Sequence, residues 1–113
     1  MSKIKVVVVE PLTEPYEKVI DNSLKAMQQV VEGSIEVIDI EGYDIVLNEE
    51  GKLIGGLINR HIGSDVIVGT FFVCNHDNSG NFTSLTEEDV NKVKKMFSTT
   101  DTKYPAMIGY FKL

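Results

Sequence analysis

The run from Asp65 to Cys74 constrains this chain more than any other stretch. Val66, Ile67, Val68, Phe71, Phe72 and Val73 make it near-continuously apolar rather than alternating. An unbroken row of β-branched and aromatic residues fits a central strand covered on both faces. Gly69 interrupts the row and predicts a bulge or the close approach of another backbone. Just upstream lie Asn59, Arg60 and His61, and Arg60 is the chain's only arginine. A guanidinium beside a core strand keeps its proton, so it needs a carboxylate, several carbonyls or an anionic ligand. Two readings follow. In one, Arg60 is a structural tie. In the other it is an anion hook, with Asn59 and Thr70 as neighbouring donors.

The rest of the chain reads as short elements. Lys3 to Glu10 is a buried first strand carrying four consecutive valines, and Pro11 to Pro15 is a turn. Tyr16 to Ile20 pairs back as a hairpin strand. Asn22 or Ser23 caps a helix whose apolar stripe is Leu24, Met27, Val30 and Val31, and Gly33 ends it as a C′ residue. Ile35 to Ile40 and Tyr43 to Leu47 are strands joined by a tight Glu41-Gly42 turn. Asn48 to Gly51 reads as a further hairpin turn with a positive φ at Gly51, leading into an extended Lys52 to Ile58. Gly55-Gly56 interrupts that segment without the strand–glycine–helix spacing of a phosphate loop. Beyond a polar loop at 75–81, Thr86 and Asp89 resemble a capping box, with Leu85 and Val90 as a hydrophobic staple. Val90, Val93 and Phe97 form that second helix's buried stripe. Residues 103–113 read as an edge strand or tail, with Pro105 keeping it at the edge. The tail is aromatic, so it serves either its own sheet or a homo-oligomer contact. The expected fold is α+β: one domain over residues 1–113, with a mostly antiparallel sheet of five to seven strands and two helices packed on one face.

Charge narrows the function. The net charge is −6, and Lys92, Lys94 and Lys95 sit at a helix end, where the helix dipole accounts for them. Direct nucleic-acid binding, which needs clustered Lys and Arg, is not expected. Between Glu32 and Glu50 there are seven acidic residues and no basic one. Such a run is a solvated face or a surface that meets a basic partner. No apolar stretch has the length of a membrane span, and the N-terminus runs straight into a strand pattern, so a cytoplasmic location without membrane contact is expected. No cofactor or metal site is expected, because His61, His76 and Asp77 match no ligand spacing. Cys74 and His76 share a strand face at i and i+2, but a thiol ending an apolar strand is by default inert.

Several segments in order resemble the small-protein family of bacteriophages and mobile elements known as domain of unknown function 3846. They are Val6 to Pro11, Ile20 to Leu24, Val31 to Val37, Leu47 to Leu53, Asn59-Arg60, Val68 to Val73 and Phe82 to Glu88. They span a core of about residues 3–97, with the tail outside it. The resemblance implies a phage or plasmid setting and supplies no activity.

The expectation is therefore a non-enzymatic counter-defence binding protein in the host cytoplasm. In its first form the chain traps a nucleotide-type signal: Asn59, Arg60, His61 and Thr70 hold phosphates, and Phe71, Phe72 or Tyr43 stacks on a base. In its second form an acidic face of Glu36, Asp39, Glu41, Asp44, Glu49 and Glu50 blocks a basic host defence or nucleic-acid enzyme by mimicking DNA charge.

Overall fold

The computed structural model describes residues 2–106 and 109–111. Its main sheet has the strand order β2-β1-β7-β4-β3, and every pairing is antiparallel. The strands are β1 (Lys3–Val9), β2 (Tyr16–Asp21), β3 (Ile35–Ile40), β4 (Tyr43–Asn48) and β7 (Phe71–His76), and the short β8 (Phe82–Thr83) pairs with the end of β7. A second sheet has the order β6-β5-β9, from β5 (Gly56–Ile62), β6 (Asp65–Val68) and β9 (Tyr110–Phe111). The α+β class and the predominantly antiparallel sheet are as expected from sequence.

The helices differ from expectation. Side chains alternate across each strand, and two separate cores result. On one face Val7, Val9, Ile45, Phe71 and Val73 pack against Val90 and Val93 of α3 (Glu87–Met96) and its C-cap Phe97. On the other face Val6, Val8, Val46, Phe72 and Cys74 pack against Met27 and Val31 of α1 (Leu24–Val31). The two helices thus cover opposite faces, not one. A sheet whose central strands are apolar on both sides needs a layer on each.

The Asp65–Cys74 run is not one strand. It divides into β6 in the small sheet and β7 at the centre of the large one. Gly69 is the dividing point, with φ at 82°. That left-handed backbone costs glycine little and other residues more. Gly69 N–H donates to Leu57 O at 2.9 Å, and its carbonyl accepts from Asn59. What looked like a bulge is the point at which the chain changes sheets.

Two other glycines are used differently from the expectation. The left-handed residue ending α1 is Glu32, with φ at 62°, rather than Gly33. Gly33 is needed for space, because a Cβ there would stand 2.6 Å from Asn48 Nδ2. That amide donates to the carbonyls of Val31 and Glu32 at 3.1 and 3.2 Å, satisfying acceptors at the helix end. Gly51 makes no hairpin turn. It is buried at the start of a short helix, α2 (Gly51–Ile54), where a Cβ would lie 2.9 Å from Val68 O. Consequently β4 and β5 do not pair, and the chain passes through α2 into the small sheet.

Local signals hold at the helix starts. Ser23 accepts from Ala26 N–H at 3.1 Å. The Thr86 hydroxyl accepts from Asp89 N–H at 3.1 Å while the Asp89 carboxylate accepts from Thr86 N–H at 3.3 Å, completing the capping box. The C-terminal segment returns to its own chain: β9 pairs with Gly56 and Leu57, and Ala106 bridges to Arg60. Tyr104 is buried, with its ring 5.3 Å from that of Phe97. Residues 107, 108, 112 and 113 of the expected tail lie outside the described residues.

Candidate functional site

Arg60 sits on β5 beside a register shift, with its whole side chain buried. A guanidinium has five N–H donors. Nε and Nη2 both donate to Phe97 O, at 2.9 and 2.7 Å. Nη1 donates to Asn59 O at 3.1 Å and to Asn59 Oδ1 at 2.8 Å. Nη2 also donates to Thr13 O at 2.9 Å. All five donors are thus used, four on backbone carbonyls and one on the Asn59 amide oxygen. Burial lowers the Arg60 pKa, partly offset by the Glu14 carboxylate. Phe97 is the C-cap of α3, so the cation also meets the negative end of that helix.

Asn59 is consumed in the same network. Its Nδ2 donates to Val9 O and to Gly69 O, both at 2.8 Å. Arg60 and Asn59 therefore tie the small sheet to the end of β1, the 69–70 turn, the Thr13 loop and the end of α3. Gripping a phosphate would require breaking bonds already made.

The remaining residues of the expected trap do not gather around this pair. His61 is half-buried, and its Nδ1 has no hydrogen-bond partner among the described residues. Thr70 is half-buried and faces elsewhere. Phe71 and Phe72 are fully buried in opposite cores, with Phe71 edge-on to Phe97 at 5.2 Å. Tyr43 is buried, and its hydroxyl donates to Asp89 Oδ1 at 2.8 Å. Burial and that bond push the Tyr43 phenol up to about 12. No aromatic ring among these three is free to stack on a base. Thr70 lines two grooves: one, about 480 Å³ between Pro11, Gly55, Gly56 and Leu57, has Glu32 as its charged lining residue and no cation, and the other carries Lys18 between Glu10 and Glu32, with neither Asn59 nor Arg60 in its lining.

Nucleophilic chemistry at Cys74 is equally unsupported. The thiol is buried and pushed up to about 12 by burial and by Asp44. His76 Nδ1 lies 2.9 Å from Asp44 Oδ2 rather than serving the thiol. Among the described residues, no three His, Cys, Asp or Glu side chains converge as a metal site.

The six residues of the expected acidic face separate into two groups. Asp44 is buried, 7% exposed, beside His76. Glu41, at the β3–β4 turn, accepts from the Tyr104 hydroxyl at 2.7 Å and pairs with Lys103 at 3.3 Å. Those two contacts hold its carboxyl below the usual range. Glu36, Asp39, Glu49 and Glu50 are exposed. Asp39 accepts from Gly42 N–H at 3.2 Å, which steadies the hairpin turn without neutralising the charge.

These four surround an open sheet edge. Among the described residues β3 pairs with β4 alone. Ile40 and Tyr43 flank a two-residue turn with positive φ at Glu41 and Gly42, the geometry in which the flanking pair is hydrogen-bonded. Alternation then directs residues 36, 38 and 40 toward β4 and Ile35, Val37 and Asp39 away from it. The Glu49 N–H to Ser34 O bond at 2.8 Å keeps the same parity. Behind the edge lies a groove of about 280 Å³, walled by Ile38 and Leu47 on one side and by Leu53, Ile62 and Ile67 on the other. Its rim carries Glu36, Glu49 and the paired Lys52 and Asp65. Sequence reasoning missed this groove. Its signal was Leu53, apolar and 63% exposed between an acidic turn and two glycines; the neighbouring Ile54 lines the other groove.

A model of the family described as Domain of unknown function (DUF3846) matches residues 4–98. The chain belongs to this family. The DUF3846 region runs from β1 to just past α3, so Thr13, Asn59, Arg60 and Phe97 all lie within it, and β9 lies beyond it. No curated protein and no solved structure matches the chain. No helix among the described residues is long and apolar enough to cross a membrane.

Proposed function

We propose that this chain is a non-enzymatic binding module whose acidic edge occupies a basic surface on a protein partner. The observation that carries the reading is the exposed quartet of Glu36, Asp39, Glu49 and Glu50 around an unpaired strand. Natural sheet edges are guarded by charged side chains, proline or a bulge; on β3 the guards are the carboxylates Glu36 and Asp39, which select by charge what can approach. Acidic side chains at such an edge repel like-charged surfaces and draw in cationic ones. In the phage or mobile-element setting that the family resemblance implies, the partner is a host defence or nucleic-acid enzyme in the cytoplasm, blocked at a groove that normally takes phosphates. The acidic surface is favoured over the nucleotide trap because Arg60 has no N–H to spare and Phe71 and Phe72 are sealed in the cores.

The test is selection of binders from a random peptide library, with the Glu36→Lys, Glu49→Lys, Glu50→Lys triple variant run in parallel. Peptides rich in Lys and Arg should be enriched, bind more weakly as salt rises from about 0.05 to about 0.5 M, and fail on the variant. Enrichment of neutral or acidic peptides, or binding that survives charge reversal, would sink the reading. A thermal-shift screen against cyclic dinucleotides and ADP-ribose derivatives should be flat. A clear shift would return weight to the trap.

A further inference from the structure

We infer that the partner binds as an added strand: an extended cationic segment pairs its backbone with β3 and turns a row of apolar and basic side chains toward the groove behind it. This deepens the acidic-edge reading and rests on it. Three observations converge. The N–H and C=O groups of Ile35, Val37 and Asp39 point away from β4 and pair with nothing among the described residues, so the edge is a ready template. A strand laid beside β3 places alternate side chains on the face that carries Glu36 and Ile38, and these two residues are also one wall of the groove. That is the arrangement in which main-chain bonds supply affinity and pockets for alternate side chains supply specificity. The groove floor is apolar at Ile38, Leu47, Ile62 and Ile67, whereas the rim is acidic at Glu36 and Glu49. Because Glu36 and Ile38 share that face, the occupant's groove-facing side chains are apolar over Ile38 and basic over Glu36, and a basic residue on its opposite face meets Asp39.

A second copy of this chain does not fit that description. It would bring a second set of Glu36, Glu49 and Glu50 to the same edge, and like charges facing across a strand pair oppose association. A small apolar ligand could fill the groove but would leave the three outward N–H groups unpaired.

The experiment uses the isotope-labelled full chain and a synthetic peptide of repeating Val-Ser-Lys-Ser, which sets valine and lysine alternating along one face, with a scrambled peptide of the same composition as control. On adding the alternating peptide, the amides of Ile35, Val37 and Asp39 should exchange about tenfold more slowly, and the scrambled peptide should bind more weakly. In Val37→Pro the lost N–H faces outward, so the β3–β4 ladder keeps its bonds, as proline at sheet edges allows. Affinity should fall about tenfold for the missing backbone bond. If Val37→Pro binds as the wild type does while the triple lysine variant does not, the acidic edge stands and strand addition is overturned. If both variants bind normally, both readings fall. Should Val37→Pro fail to fold, the exchange measurement on the unmodified chain still decides, since unprotected Ile35, Val37 and Asp39 amides in the bound state refute the proposal. Protection that grows with protein concentration without peptide would make a second copy the occupant and overturn it as well.

Discussion

Replacing Arg60 with methionine keeps an unbranched side chain of similar reach and removes the guanidinium. Four acceptors lose their donors: Phe97 O, Thr13 O, Asn59 O and Asn59 Oδ1. The Thr13 bond is only part-buried, so water can replace it there. The other three are buried, and an orphaned buried acceptor costs about 1 kcal/mol or more. Relief of the desolvation of Arg60 itself works in the opposite direction. The expected loss is about 3 kcal/mol, a substantial fraction of the roughly 6–17 kcal/mol open to a domain of this length. For a chain of this size that lowers Tm by about 12 °C. The assay is urea and thermal unfolding followed by circular dichroism, with Asn59→Ala and the double variant completing a cycle. Because Asn59 and Arg60 share a bond, the two losses should be clearly non-additive. Arg60→Lys should recover little, since one ammonium cannot reach Phe97 O and Thr13 O in the planar fork that arginine uses. A Tm within about 2 °C of wild type in Arg60→Met would refute the structural assignment and reopen the anion-hook reading.

Three further outcomes follow from described contacts. Cys74 should resist thiol reagents in the folded chain and react on unfolding, because burial and Asp44 push its thiol up to about 12; rapid labelling of the native protein would contradict this. Glu41→Gln should lower Tm at neutral pH. The Tyr104 and Lys103 contacts depress the Glu41 pKa below 4.5 in the folded state, so its stabilisation is present above that value and is lost as pH falls through the folded one. The melting curves of the two proteins should converge in acid, and a constant difference across the titration would argue against the contact. Gly51→Ala should destabilise by about 1–3 kcal/mol in urea unfolding, since its Cβ would meet Val68 O at 2.9 Å and a backbone atom cannot yield as a side chain does.

The elements most legible in the sequence were those defined by neighbouring residues. Ser23, the Thr86–Asp89 box and the Val90, Val93, Phe97 stripe are local patterns, and each appears where expected. The chain's use of Arg60 was not legible. Its acceptors are carbonyls at positions 13, 59 and 97, and a backbone carbonyl leaves no mark in a sequence. The Asp65–Cys74 run misled because both halves are buried, so their composition is alike although they belong to different sheets. Asn48 is the turn residue that asparagine's preference suggests, its Oδ1 accepting from Glu50 N–H at 2.8 Å; that its Nδ2 also closes the end of α1 was not legible. The acidic face was readable in composition but not in burial: Asp39 and Asp44 are cross-strand partners on one face, yet β4 is flanked by β7 and β3 while β3 lies at the edge, so Asp44 is buried and Asp39 exposed.

The strand order also dictates an order of assembly. β1–β2 and β3–β4 are local hairpins that can close as soon as their residues exist, but β7 must enter between them to join the two. A nascent chain that has not yet exposed residue 76 to solvent holds two ribbons with unsatisfied inner edges on β1 and β4. Those edges carry Val7, Val8, Ile45 and Val46, apolar templates of the kind that recruit stray strands. Translation past β7 is thus the step at which those inner edges find their partner, and the apolar face beneath α3 stays open until Val90, Val93 and Phe97 follow, so a premature stop would yield a sticky fragment rather than a smaller working domain.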